Sequence, residues 1–245
     1  MSKPYLHIGE GCGGVYSFPV STTATDEGTW SIGTTDCRYC VGIYFPLSNE
    51  KCFCAHIYAC CDDVDDLSPL DVPLGPWVPF EAEGVALTKK VKELLDGFID
   101  ELGISRDQLA FMADRAVVVC PFPTKNVHGQ VMPTVGKYII DALDLAFNTT
   151  FTAEKAHGFA VDHSTGEHEI FRFTPKGPSK FKRTVVFHPD SEDQMEPVQD
   201  ERLGWTIHSR ADRRNGAEKS FMLKYKADGW EVDHDDSPDP QAMKD

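Results

Sequence analysis

The chain has 245 residues, 41% of them hydrophobic, and a formal net charge of −15 at pH 7. This is enough apolar content for a substantial core without a disulfide scaffold, and the excess of carboxylates argues against nucleic-acid or anionic-membrane partners. The opening MSKPYLHIGEGCGG lacks the apolar run of a signal peptide, and nowhere do about eighteen apolar residues follow one another, so a cytoplasmic protein is expected.

The first elements read as short strands joined by Gly- and Thr-rich turns: Tyr5 to Ile8, Val15 to Phe18 and Thr29 to Ile32. Between the first two, Gly9, Gly11 and Gly14 match G-x-G-x-x-G, but the strand-like VYSFPV follows where a dinucleotide loop needs a helix. These glycines therefore suggest a tight turn near a site. A hairpin comes next, with arms Cys40 to Phe45 and Cys52 to Ile57 and turn residues Pro46 to Glu50 between them. One face carries Val41, Ile43, Phe45, Phe53, Ala55 and Ile57, an unbroken apolar surface that specifies which side is buried. If the hairpin is symmetric about Ser48, Tyr44 faces Cys52, Gly42 faces Cys54 and Cys40 faces His56. Opposed Cβ atoms lie roughly 4.5 to 5.5 Å apart, close enough for an imidazole to take a thiol proton.

The acidic run Asp62, Asp63, Asp65 and Asp66 lacks the spacing and glycine of a calcium loop and reads as solvated surface. From Lys89, the positions Val91, Leu94, Leu95, Phe98, Ile99 and Leu102 recur at helical spacing before Gly103, which supplies the stop. Ser105 and Gln108 form a capping-box signature for a short second helix. Ala116 to Cys120 reads as a buried strand, and Val135, Tyr138, Ile139, Ala142 and Ala146 mark a third helix. Later strands are expected at Phe159 to Val161, Glu169 to Phe173, Thr184 to Phe187, Trp205 to His208 and Phe221 to Tyr225. The order predicts an α+β domain over residues 1–232, with a mixed β-sheet or β-sandwich core flanked by helices. Residues 233–245 form an acidic tail expected to be disordered, and the Arg210, Arg213 and Arg214 patch reads as a solvated loop.

The eight cysteines of a reducing compartment are buried thiols, a catalytic thiol or metal ligands. Cys37 and Cys40 form C-x-x-C, while Cys52, Cys54 and His56 share a strand face, so a zinc-stabilised binding module without catalytic activity is one reading. Against it, thiolates two apart on a strand are stepped by about 6.6 Å, whereas zinc needs sulfurs converging at roughly 2.3 Å. A second reading makes Cys40 a nucleophile and His56 its base, and a third makes the cysteines small buried hydrophobes of a scaffold. The remaining histidines have no cysteine or histidine at ligand spacing; His163 and His168 beside the Ser164 to Gly166 turn read as exposed.

The stretch from Gly33 to His56 resembles the active-site segment of the chemoreceptor glutamine deamidase CheD and of deamidase toxins of the cytotoxic necrotizing factor type. Thr34, Cys40 and the Ala55-His56 pair match the family's Thr or Ser, its nucleophilic cysteine and its histidine, and Ile8, Gly9 and Glu10 resemble its first strand. Arg38 and Tyr39 stand where the common pattern has Gly-Ser. His157 to Phe173 is similar to a hairpin of the N-terminal asparagine amidohydrolase, a second Cys-His relative. The resemblance implies a protein deamidase: Cys40 attacks the carboxamide of a Gln or Asn in a protein substrate, His56 shuttles the proton, Thr34 orients His56, and no metal or cofactor takes part. Asp36 is a weaker candidate for orienting the imidazole. With an amine in place of water, the same thioester would give transglutamination.

Overall fold

In the computed structural model of the chain, the alternation along the hairpin becomes a division between two layers. The structure describes residues 2–20, 28–38, 40–60, 81–103, 113–122, 134–174, 178–184, 198–200, 204–206, 219–226 and 229–232, with Val78, Ser105 and Leu109. The acidic run 62–66, Gln108, the arginine patch and the 233–245 tail lie outside these residues.

The hairpin arms are β4 (Cys40–Pro46) and β5 (Lys51–Cys60). They form the middle of a sheet in which β6 (Val117–Val119) pairs β4, while β2 (Cys12–Ser17) and β13 (Met222–Lys226) share the other edge of β5. β12 (Lys219–Ser220) and β14 (Gly229–Val232) complete it. A second sheet has the order β8-β7-β3-β1-β9, built from β1 (Lys3–His7), β3 (Ser31–Thr34), β7 (Gly158–Asp162), β8 (His168–Phe171) and β9 (Phe181–Thr184). Here β1 runs parallel to β3 and β9, while β3–β7 and β7–β8 are antiparallel. A separate small ladder joins β10 (Val198–Asp200) to β11 (Gly204–Thr206).

The two faces of the hairpin meet different partners. Val41, Ile43, Phe45, Phe53, Ala55 and Ile57 pack against α1 (Glu81–Leu102) and α2 (Val135–Phe147) through Leu87, Val91, Leu95, Phe98, Ile139, Leu143 and Phe147. Each such side chain fully removed from water stabilises the fold by about 1.5–3 kcal/mol, so this face fixes the hairpin's side. The other face, with Cys40, Tyr44, Cys52 and Cys54, packs against Leu6, Ile32, Phe159 and Val161 of the second sheet and against Ile8, just past β1. The result is three layers, helices on sheet on sheet: an α+β fold, as the sequence predicts. The interior between the sheets is where Cys40, His56 and Thr34 sit, each essentially buried.

The predicted elements differ from the observed ones in informative ways. The long helix starts at Glu81, eight residues before Lys89, because Gly84 and Leu87 already face the core. Thr134 caps α2, accepting from the Lys137 N–H at 3.0 Å, and Asn148 ends it in the left-handed region. Of the second predicted helix only the Leu109 N–H to Ser105 carbonyl bond lies within the described residues. Among the described residues, no helix is long and apolar enough to cross a membrane.

Gly84 lets the two helices approach closely. A Cβ there would stand 2.0 Å from the Tyr138 ring. Gly84→Ala is expected to destabilise the protein by about 1–3 kcal/mol despite its gain in helix propensity. The loss should shrink when Tyr138→Leu is combined with it, a coupling read from urea unfolding of the two single variants and the double variant.

Candidate active site

The hairpin does not have the symmetry that its sequence suggests. The chain turns about Asn49, with the Leu47 and Ser48 N–H groups both donating to the Lys51 carbonyl, at 2.8 and 3.0 Å, and Pro46 pairing with Cys52. Gly42 therefore faces His56, and Cys40 faces Tyr58. The predicted pairing of Cys40 directly against His56 is thus corrected by two residues. Because the shift is even, no side chain changes face: Cys40 and His56 lie on one surface, diagonal to one another. Diagonal neighbours have Cα atoms about 7–8 Å apart and Cβ atoms somewhat closer, within reach of a ring as long as imidazole.

Thr34 comes from the other sheet. Its hydroxyl lies 2.8 Å from His56 Nδ1 and 2.8 Å from the Ile8 carbonyl. A carbonyl can only accept, so the single hydroxyl proton goes to Ile8 and Thr34 Oγ1 must accept from His56. His56 is therefore protonated on Nδ1, and Nε2 carries the lone pair. Nε2 is buried with no hydrogen-bond partner among the described residues, an arrangement costly enough to call for a chemical reason. Burial pushes the His56 pKa down to about 4, although the charge of Asp36 opposes this. The ring is thus a neutral base near pH 7, rather than the resting imidazolium that would keep a neighbouring thiol ionised.

Three glycines let Thr34 reach His56. A Cβ on Gly42 would lie 2.8 Å from Thr34 Cγ2 and 2.9 Å from Val119 Cγ2. Across the second sheet, a Cβ on Gly33 would meet the Phe159 carbonyl at 2.1 Å, and one on Gly158 would meet the Thr34 carbonyl at 2.3 Å. The G-x-G-x-x-G segment forms the turn expected of it. Gly11, at φ +68°, donates its N–H to the His56 carbonyl at 2.9 Å and accepts from the Phe221 N–H at 2.8 Å. The same turn brings Glu10 to the nucleophile candidate: Cys40 Sγ donates to Glu10 Oε1 at 3.9 Å. Sequence reasoning missed Gly42 and Glu10. A glycine inside an otherwise bulky strand was the available signal for the first.

Asp36 does not bond the imidazole. It sits at φ +64°, and its Oδ2 accepts from Thr35 Oγ1 at 3.0 Å. The orienting contact belongs to Thr34. Cys37 donates its N–H to the His157 carbonyl at 2.9 Å, and its thiol is pushed up by burial, with the nearby Cys40 adding to the effect. Cys52 and Cys54 are likewise raised by burial, so these thiols stay protonated. Among the described residues, no group of three or more His, Cys, Asp or Glu side chains is placed to hold a metal ion.

His163 is not the exposed turn residue that its sequence suggests, whereas His168 is exposed. Its Nδ1 lies 2.7 Å from the Tyr44 hydroxyl, and its ring stacks on Phe18 with centroids 4.2 Å apart. The Phe18 ring and the Tyr44 phenol together outweigh the polarity of the turn and draw His163 inward.

Comparison with protein-family models and with curated proteins finds no match for this chain.

Gly42→Ala is expected to cost about 1–3 kcal/mol in urea unfolding and to break the Thr34–His56 contact, since the added methyl must displace Thr34 or Val119. Acid should also destabilise the fold. His56, His157 and His163 all have lowered pKa values, burial being the first cause of each. The unfolded chain then binds protons more tightly than the folded one, so their contribution is present above pH about 6.5 and is lost as pH falls through the folded values. For His56 alone the loss is about 3 kcal/mol between pH 6.5 and 4. Unfolding free energies across that range check this, and His56→Gln should flatten the slope.

Proposed function

We propose that this protein is a Cys-His amidohydrolase that converts the side-chain carboxamide of a Gln or Asn in a protein substrate to a carboxylate. The observation that carries the reading is the state of His56: neutral, its Nδ1 proton held by Thr34, its Nε2 lone pair buried and, among the described residues, unpartnered on the face that bears Cys40. A base held so has a thiol as its natural proton donor.

The reaction follows from these groups. The Cys40 thiol, which donates to Glu10 Oε1 at rest, turns its proton to His56 Nε2 as sulfur attacks the carboxamide carbon, and Nδ1–H, already bonded to Thr34, stabilises the imidazolium that forms. Backbone N–H groups around Cys40 serve the developing oxyanion. His56 then returns the proton to the leaving nitrogen, which departs as ammonia and leaves a thioester. Water attacks the thioester with His56 again as base, giving Glu or Asp and the free thiol; an amine in that step would give transglutamination. The resemblance of Gly33 to His56 to CheD-type deamidases supports the same assignment. The net charge of −15 favours neutral or basic substrate proteins, and the six free, buried thiols among the described residues suit the cytoplasm, where we place the protein.

The test is incubation with a library of folded proteins and Gln- or Asn-containing peptides, read as ammonia release and as residue-level conversion to Glu or Asp by mass spectrometry. Conversion is expected with wild type, lost by several orders of magnitude in Cys40→Ser and His56→Ala, and reduced less in Thr34→Val. Conversion by Cys40→Ser at the wild-type rate would overturn the proposal.

A further inference from the structure

Glu10 lies between two anchors of the site. One residue before Gly9, the Ile8 carbonyl accepts the Thr34 hydroxyl; one residue after Glu10, the Gly11 N–H donates to the His56 carbonyl. The Cys12 N–H closes the turn on the Gly9 carbonyl at 3.1 Å. Glu10 is thus fixed in position by the same bonds that fix the imidazole, while its side chain is exposed. Its Oε1 is the carboxylate oxygen that meets Cys40 Sγ, at 3.9 Å.

A group attacked by Cys40 must bring its carbon to about 3–3.5 Å from sulfur. The two substituents on that carbon other than the chain then lie within reach of Glu10. In a carboxamide one of them is an NH2, which donates to a carboxylate. In the product carboxylate both are oxygens that share a negative charge, which a carboxylate repels.

Resting on the Cys-His reading above, we propose that Glu10 is a specificity-determining residue, accepting from the substrate NH2 and expelling the carboxylate product. The device separates substrate from product, which otherwise differ little in shape. It also gives direction to release, since the product carboxylate keeps the charge that Glu10 repels, whereas the oxyanion of attack is transient and met by backbone N–H groups.

Iodoacetamide and iodoacetate reproduce this pair, one ending in a carboxamide and the other in a carboxylate. The experiment compares their alkylation rates at Cys40 by peptide mass spectrometry at pH 7, in wild type, Glu10→Gln and His56→Ala, with glutathione as the reference thiol. The preference of Cys40 for iodoacetamide is expected to exceed that of glutathione by about tenfold in wild type and to fall to the glutathione value in Glu10→Gln. An unchanged preference in Glu10→Gln would overturn the role of Glu10, even with His56-dependent labelling intact. Iodoacetamide labelling of Cys40 indifferent to His56→Ala would overturn the underlying Cys-His reading instead. Glu10→Ala provides a second variant without the amide of Gln; it should lose the preference equally, and retention of the preference there would also overturn the role.

Discussion

The hydrogen bond from His56 Nδ1 to Thr34 Oγ1 joins the two sheets through an imidazole that shares a face with Cys40. It is directional because the Ile8 carbonyl takes the only proton that Thr34 has to give. A main-chain acceptor one residue past β1 thereby determines the tautomer of an imidazole on β5. Neither residue could do this alone: a threonine without Ile8 could rotate its hydroxyl toward Nδ1, and the lone pair would move to the wrong nitrogen.

That bond requires a close approach of strands from different sheets, and the glycines are what the approach demands. Gly42 opposite His56 leaves the volume that Thr34 occupies, while Gly33 and Gly158 let β3 and β7 pack backbone to backbone around Thr34. The apolar face of the hairpin, locked under α1 and α2, keeps β4 and β5 from sliding to relieve the crowding. Burial then keeps the imidazole neutral. Glu10 stands on the exposed side of the same turn, so the site has a dry base within and a charge at its rim.

The layer arrangement was legible because residue type alternates so strictly from Val41 to Ile57 that only one face can meet the helices. The same pattern placed Cys40 and His56 on a common surface, and the family resemblance placed Thr34 with them. Register was not legible: period-two alternation is unchanged by a shift of two residues, and only the bonds of Leu47 and Ser48 to Lys51 choose between the alternatives. The start of α1 was hidden by Gly84, a poor helix former retained for the fit of Tyr138. His163 was misread because its burial depends on Phe18 and Tyr44, distant in sequence and unknown to the turn that carries it.

The most direct measurement is the tautomer of His56, read from the nitrogen-15 chemical shifts and couplings of its ring in the protein labelled at histidine, at neutral pH and assigned with His56→Gln. A neutral ring protonated on Nδ1, which moves to the other tautomer or to an equilibrium between the two in Thr34→Val, is the expected result. A ring protonated on Nε2, or on both nitrogens, would leave no lone pair for the Cys40 proton and would contradict the assignment of His56 as its base.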